Sequence, residues 1–322
     1  MWHLEASNNT VEEFKKWYYQ DIKKDIERSP LSSAIKDILL GKESDGNTIL
    51  EHLLTDHPKA LYSLNDKVTK QIEEVIKGLR DEEKREVWEK IRDVFGYEKR
   101  ISQDRDTSYK LARLIGTDTC VYCNRIYTYT IDETINDVRS RVVRPDFDHW
   151  IPKAEFPLTS MSFFNLIPSC PICNRNVKNR HDFKYGTHVH PYESSPKPQF
   201  SFRYVPLNGS EWDVKLDKLT GKEEATAGLL HTEDIYKGHA NKEVKDIIDF
   251  VHAYPPEYIR DLFQGVRDHG KIKITPEEAY RYLMGTELKE INDLNRPLSK
   301  LKRDIIKQAC EDVGIDILQI FK

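Results

Sequence analysis

The sequence predicts an α+β protein that is mostly α-helical, with a small cysteine-stapled segment between N- and C-terminal helical regions. Three observations lead there. Apolar residues recur at helical spacing over residues 10–115 and again from Thr232. Two Cys-x-x-Cys pairs, Cys120/Cys123 and Cys170/Cys173, bracket a stretch rich in β-formers. Pro and aromatic alternation after residue 190 marks a small hairpin. The chain therefore divides into 1–116, 117–190 and 191–322.

The first region is read as helical throughout. Thr10-Val-Glu-Glu13 fits a capping box, and Val11, Phe14, Tyr18, Ile22 and Ile26 form one apolar stripe behind it. Ile35, Ile38 and Leu39 suggest a short helix stopping at Gly41. Asn65 or Asp66 caps a helix through Ile72 and Ile76, and Asp81 caps another through Val87, Ile91 and Val94. A last helix near Tyr109 and Ala112 ends at Gly116. A helical region of this size is read as an interaction or docking module, the alternative being a scaffold for the segment that follows.

In the middle region, Ile126, Tyr127, Tyr129 and Ile131, then Val138, Val142 and Val143, predict a two-stranded ribbon with DETIND as its turn. Its second strand runs on toward Asp148 and His149. Pro152 and Pro157 mark a loop, Ser162–Ile167 returns as an extended segment, and a helix starts near Cys173 or Asn174. Beyond residue 190, Phe200, Phe202 and Tyr204 pair with Trp212, Val214 and Leu216 as a hairpin. Ile235, Tyr236, Val244, Ile247, Ile248 and Val251 form a stripe ending before Pro255. Thr275-Pro-Glu-Glu278 starts another helix, and a final helix runs from about Leu301 to Cys310.

Bulk composition narrows the function. Charged residues make up 32% of the 322 residues and hydrophobic ones 38%, which suits a soluble protein with a modest core. No apolar run approaches the roughly 20 residues that span a bilayer. The N-terminus lacks the basic start and apolar middle of a secretory signal, so a cytoplasmic protein without a membrane partner is expected. A formal charge of −4 excludes a uniformly basic nucleic-acid binder; phosphate contacts need a local patch or a partner.

Four of the five cysteines form the two pairs, 46 residues apart (124–169). Each Cys-x-x-Cys puts two thiolates on one tight knuckle, and two knuckles supply the four soft ligands of a tetrahedral Zn²⁺. All four positions are filled by protein, so the zinc is expected to be structural. The alternative is four unbound thiols or a redox pair. The fifth, Cys310, reads as a small buried apolar residue.

Between the knuckles lie Asp148-His149, then Asn165, with Asn174 directly after Cys173. Cleaving a phosphodiester needs a nucleophile, neutralisation of phosphate charge and help for the leaving oxygen. An imidazole can take a proton from water, and carboxylate and amide oxygens suit a hard cation. Neighbours on a strand point to opposite faces, so Asp148 and His149 share one site only if the strand is irregular there.

DFDHWIPK followed by FFNLIPSCPICNRNVK resembles the HNH endonucleases, whose core is a β-ribbon plus helix around one catalytic metal (ββα-metal). The resemblance covers about residues 118–182. It implies His149 as the general base, Asp148 and Asn174 as ligands of Mg²⁺ or Mn²⁺, Asn165 as a brace of the base-bearing loop, and DNA as substrate. The flanking cysteines match the zinc-stapled branch of that family. The wording CVYCNR, FDHWIPK, SFFNLIPSCPICN and HPYE is also similar to HNH subunits of Septu-type anti-phage systems, which implies an AAA/ABC-type ATPase as partner. A non-catalytic zinc module that binds nucleic acid or protein is the alternative.

Weaker candidates surround this set. Asp146 shares a strand face with Asp148 and reads as a solvated or supporting carboxylate. Arg144, Arg175, Lys178 and Arg180, with Arg139 and Arg141, form a local basic rim suited to phosphate. His181, His188 and His190 read as loop residues rather than as a second metal site.

Overall fold

The computed structural model describes residues 1–135, 138–178, 181–195, 199–209, 211–268 and 274–321. Among them, the N-terminal part holds six helices: α1 (Asn8–Arg28), α2 (Ser33–Leu40), α3 (Ile49–Thr55), α4 (Pro58–Ile76), α5 (Asp81–Phe95) and α6 (Arg105–Ile115). The stripe expected on α1 is buried in full. Its cap is Ser7, not Thr10: Ser7 Oγ accepts the Thr10 N–H, so Thr10 lies inside the first turn. Helix α4 starts at Pro58, whose missing N–H costs nothing at a first helical position, and Asn65 is buried mid-helix rather than capping. Helix α3 escaped the apolar pattern because it is short, although Thr48 and Glu51 form its capping box.

A tight π-type turn, Glu98–Ser102, joins α5 to α6 and is anchored by Arg100, only 5% exposed. Its Nε donates to Asp21 (2.9 Å) and its Nη2 to Asp25 (2.5 Å), both on α1. Its Nη1 donates to the carbonyls of Val94 and Phe95 at 2.9 Å each. Gly96 is needed beside it: φ is +55°, and a Cβ there would run into Arg100 Nη1.

The strands form three two-stranded antiparallel sheets among the described residues. In the first, β1 (Ile131–Ile135) pairs with β2 (Val138–Val143). A ribbon is thus present but displaced: of the residues expected in its first strand only Ile131 lies in β1, and Asp132–Ile135, expected in the turn, form the rest of it. Nor does β2 continue to Asp148. Pro145 has no N–H to extend the ladder. Instead β3 (Asp146–His149) pairs with β4 (Leu166–Ser169), placing Asp148 opposite Ile167. The third sheet, β5 (Ser201–Asn208) with β6 (Glu211–Asp217), is the expected hairpin.

After it come α7 (Lys222–Leu229), α8 (Thr232–Lys237), α9 (Lys245–His252), α10 (Pro256–Asp268), α11 (Pro276–Met284), α12 (Ser299–Asp312) and α13 (Ile317–Ile320). The Thr275–Glu278 capping box is formed. Two hydrophobic clusters result. One joins the N-terminal helices to the segment around β3 and β4, with Phe14 against Phe163 at 5.4 Å between ring centres. The other joins β5 and β6 to the C-terminal helices and takes in Trp2.

Truncating Arg100 strands the buried carbonyls of Val94 and Phe95 and removes the tie to Asp21 and Asp25 of α1. Arg100→Ala is expected to cost about 3 kcal/mol, read as a lower denaturation midpoint in urea.

Candidate functional site

The four cysteines meet as their spacing requires. Cys120, Cys123, Cys170 and Cys173 are all buried, and their sulfurs lie within 4.8 Å of one another. Bonds of about 2.3 Å to one ion would bring such sulfurs close to a tetrahedron. Among the described residues no other group gathers three or more His, Cys, Asp or Glu donors in this way. Burial pushes the Cys120 thiol up, while hydrogen bonds from the other three thiols hold Cys170 down. Four thiolates gathered here would call for a cation. The cluster can hold a metal ion such as zinc.

The first knuckle is fixed by both ends of the chain. Trp2 N donates to Val121 O (3.1 Å), and Val121 N to Pro168 O (3.3 Å) in β4. Tyr236 Oη, from α8, donates to Cys123 O (2.5 Å). Asn124, at φ +48°, donates through Nδ2 to Thr119 Oγ1 and to the carbonyls of Asp293 and Arg296. Its Oδ1 accepts from Ser299 N at 3.0 Å.

His149 ends β3, 7% exposed. Its Nε2 lies 2.9 Å from the carbonyl of Ser160, which can only accept, so Nε2 carries the proton and Nδ1 the lone pair. Burial holds its pKa down to about 3, so the ring is neutral near pH 7. Tyr97, just ahead of the Arg100 turn, sets its ring edge on the imidazole at 4.3 Å. Asn165 ties off the loop that supplies Ser160. Its Oδ1 accepts from Ile151 N (2.6 Å), and its Nδ2 donates to Ile151 O (3.1 Å) and Thr159 O (3.0 Å).

Asp148 faces the other way, as strand neighbours do. Its Oδ2 accepts from Tyr122 Oη (2.5 Å) and pairs with Lys178 Nζ (2.7 Å). Lys178 Nζ also donates to His149 O at 2.5 Å. Burial raises the carboxyl's pKa, against the pull of Lys178 and Tyr122. Asp146 lies nearer Asn174: Asn174 Nδ2 is 3.4 Å and Arg175 Nη2 3.2 Å from Asp146 Oδ2. Despite the alternation, Asp146, Asp148, His149 and Asn174 all line one open cleft of about 400 Å³, which Tyr97 also lines.

The basic rim is reduced. Arg175 is exposed beside Asp146, and Arg144 lines the cleft while donating to its neighbour's carbonyl, Pro145 O. Lys178 is corrected: it is 4% exposed and spent on Asp148, because its helical turn points inward, so it is no surface contact for phosphate. Arg180 falls outside the described residues. His190 packs on Trp150 at 4.6 Å between ring centres. Sequence reasoning missed Tyr97 and Tyr122. The position of Tyr122 inside a Cys-x-x-Cys was the one signal for it.

Asn165→Ala leaves the Ile151 and Thr159 backbone groups unpaired; a loss of about 3 kcal/mol in chemical denaturation is expected. His149 and His190, both held down to about 3 against 6.5 when unfolded, bind fewer protons folded than unfolded. Their contribution is complete above pH 6.5 and is lost as the pH falls toward 3. Melting temperature is expected to drop between pH 7 and pH 5, less so in His190→Gln.

No described helix is long and apolar enough to cross a membrane. Compared with known proteins, the chain matches no family model, no curated protein and no solved structure.

Proposed function

We propose that the chain is a metal-dependent HNH endonuclease that hydrolyses DNA phosphodiester bonds. The observation that carries this reading is the set of His149 contacts. A neutral imidazole is held by Ser160 O through Nε2, which leaves Nδ1 as its proton acceptor, and His149 lines a cleft together with Asp146, Asp148 and Asn174. Asn165 fixes the loop that fixes the imidazole.

The residue types fit a hard cation: Asp146, Asp148 and Asn174, two carboxylates and an amide, line the same cleft. Bound there, Mg²⁺ or Mn²⁺ would neutralise phosphate charge and ease departure of the leaving oxygen. Asp148 and Asn174 are the ligands proposed, with Asp146 supporting Asn174. The rest is the work of side chains. His149 Nδ1 takes a proton from the attacking water. Burial makes the imidazolium costly in the free protein, but the phosphate anion entering the cleft supplies the counter-charge that favours it. Arg144 and Arg175 stand at the rim to meet the backbone.

The four cysteines take a structural zinc in this reading, closed to water by full protein ligation. The likeness to Septu-type subunits supports an anti-phage role with an AAA/ABC-type ATPase as partner. The second reading, a non-catalytic zinc module, is favoured by one observation: the Asp148 charge is already paired with Lys178.

Plasmid cleavage in Mg²⁺ or Mn²⁺, with and without the neighbouring ATPase, tests this. His149→Ala is expected to abolish cutting by at least about 100-fold while keeping fold and zinc; cutting at the wild-type rate would sink the assignment of the base. Cys170→Ser is expected to lose zinc by elemental analysis and to lower the melting temperature by more than about 10 °C.

A further inference from the structure

Two buried side chains around Asp148 have no place in the reading above. Tyr122 Oη and Lys178 Nζ both reach Asp148 Oδ2, at 2.5 and 2.7 Å. Tyr122 is 1% exposed and Lys178 is 4% exposed. Their origins matter. Tyr122 sits inside the first knuckle, between Cys120 and Cys123. Lys178 ends the helical turn Cys173–Lys178, which begins on the second knuckle. The cysteine cluster therefore grips the same carboxylate from both sides.

A buried carboxylate needs a counter-charge. Lys178 is that charge, and its second bond, to His149 O, pins the ammonium at the junction of the two strand residues. Tyr122 adds a neutral donor that stops the carboxylate from turning. Ring contacts back both: Phe183 lies 5.7 Å from the Tyr122 ring and 5.5 Å from Lys178 Nζ.

We infer that Tyr122 and Lys178 are positioning residues that carry the geometry of the cysteine cluster to Asp148, with Lys178 as a resident counter-ion that a divalent cation must compete with. The inference rests on the proposal that Asp148 is a metal ligand. It predicts opposite effects for the two residues. Removing the ammonium leaves a carboxylate held by the neutral Tyr122 hydroxyl and strengthens divalent binding. Removing the hydroxyl loosens the carboxylate and weakens binding without changing charge.

Mn²⁺ affinity, read at pH 8 from the loss of the free-ion electron paramagnetic resonance signal, separates these cases without any cleavage assay. Zinc content and melting temperature are measured beside it. Lys178→Met is expected to bind Mn²⁺ about tenfold more tightly than wild type, and Lys178→Arg, which keeps the charge, like wild type. Tyr122→Phe is expected to bind severalfold more weakly with zinc content unchanged. Equal Mn²⁺ affinity in wild type and Lys178→Met overturns the counter-ion role while leaving the nuclease proposal standing. Should Lys178→Met not fold, unchanged affinity in Tyr122→Phe overturns the clamp. A wild-type protein that binds no Mn²⁺ overturns this inference together with the ligand assignment beneath it.

Discussion

The structure hangs on the short run Cys120–Asn124. Its backbone receives Trp2 from the N-terminus and Tyr236 from α8, and donates to β4 at Pro168. The Asn124 side chain satisfies backbone groups of Asp293, Arg296 and Ser299 from a left-handed conformation that its short side chain tolerates. Two of the four metal-type sulfurs are thus placed by contacts from regions more than 100 residues away in sequence. A metal held there would bind to a site that exists only in the folded chain, so its binding energy would be folding energy.

The second constraint comes from the N-terminal helices. They do not stand apart from the cleft. Phe14 packs on Phe163, the Ser162 hydroxyl donates to Leu53 O in α3, and Tyr97 touches His149. Each contact bears on the loop between β3 and β4, the loop whose Ser160 carbonyl sets the tautomer of His149. Arg100 secures the turn that carries Tyr97 against α1. These are the contacts that the scaffold alternative for residues 1–116 requires, and they leave the outer helical faces free for other roles.

Much of this was legible in the residues. The cysteine spacing, the α1 stripe, the Gly116 stop and the Thr275 capping box rest on local rules, and local rules hold over short distances. Asn165 was legible only through the resemblance that pointed to it; its amide, with both donor and acceptor, suits tying two backbone segments together. Strand pairing was not. Whether β3 pairs with β2 or with β4 is a choice between partners distant in sequence, and the deciding feature, Pro145, looks like any loop proline until the ladder is seen. Burial of Lys178 was equally hidden. A lysine beside Arg175 reads as surface charge, and only the direction of one helical turn aims it inward.

That inward lysine bears on how the cleft is understood. Buried ion pairs are weak stabilisers: hydrophobic residues of similar volume often serve a fold as well or better. Stability alone therefore gives no reason to place an ammonium, a carboxylate and a phenol in contact behind β3. A chain that needed only a zinc knuckle could have filled the space with the Leu, Ile and Phe that surround it. The polar set makes physical sense if one member, Asp148, has to remain charged and fixed beside an open cleft. Its oxygens are hard donors, the cysteine sulfurs soft ones, and the two groups are linked through Tyr122 and Lys178 rather than mixed. Under the proposed function the closed sulfur cluster holds geometry while the separate oxygen-bearing cleft takes the substrate.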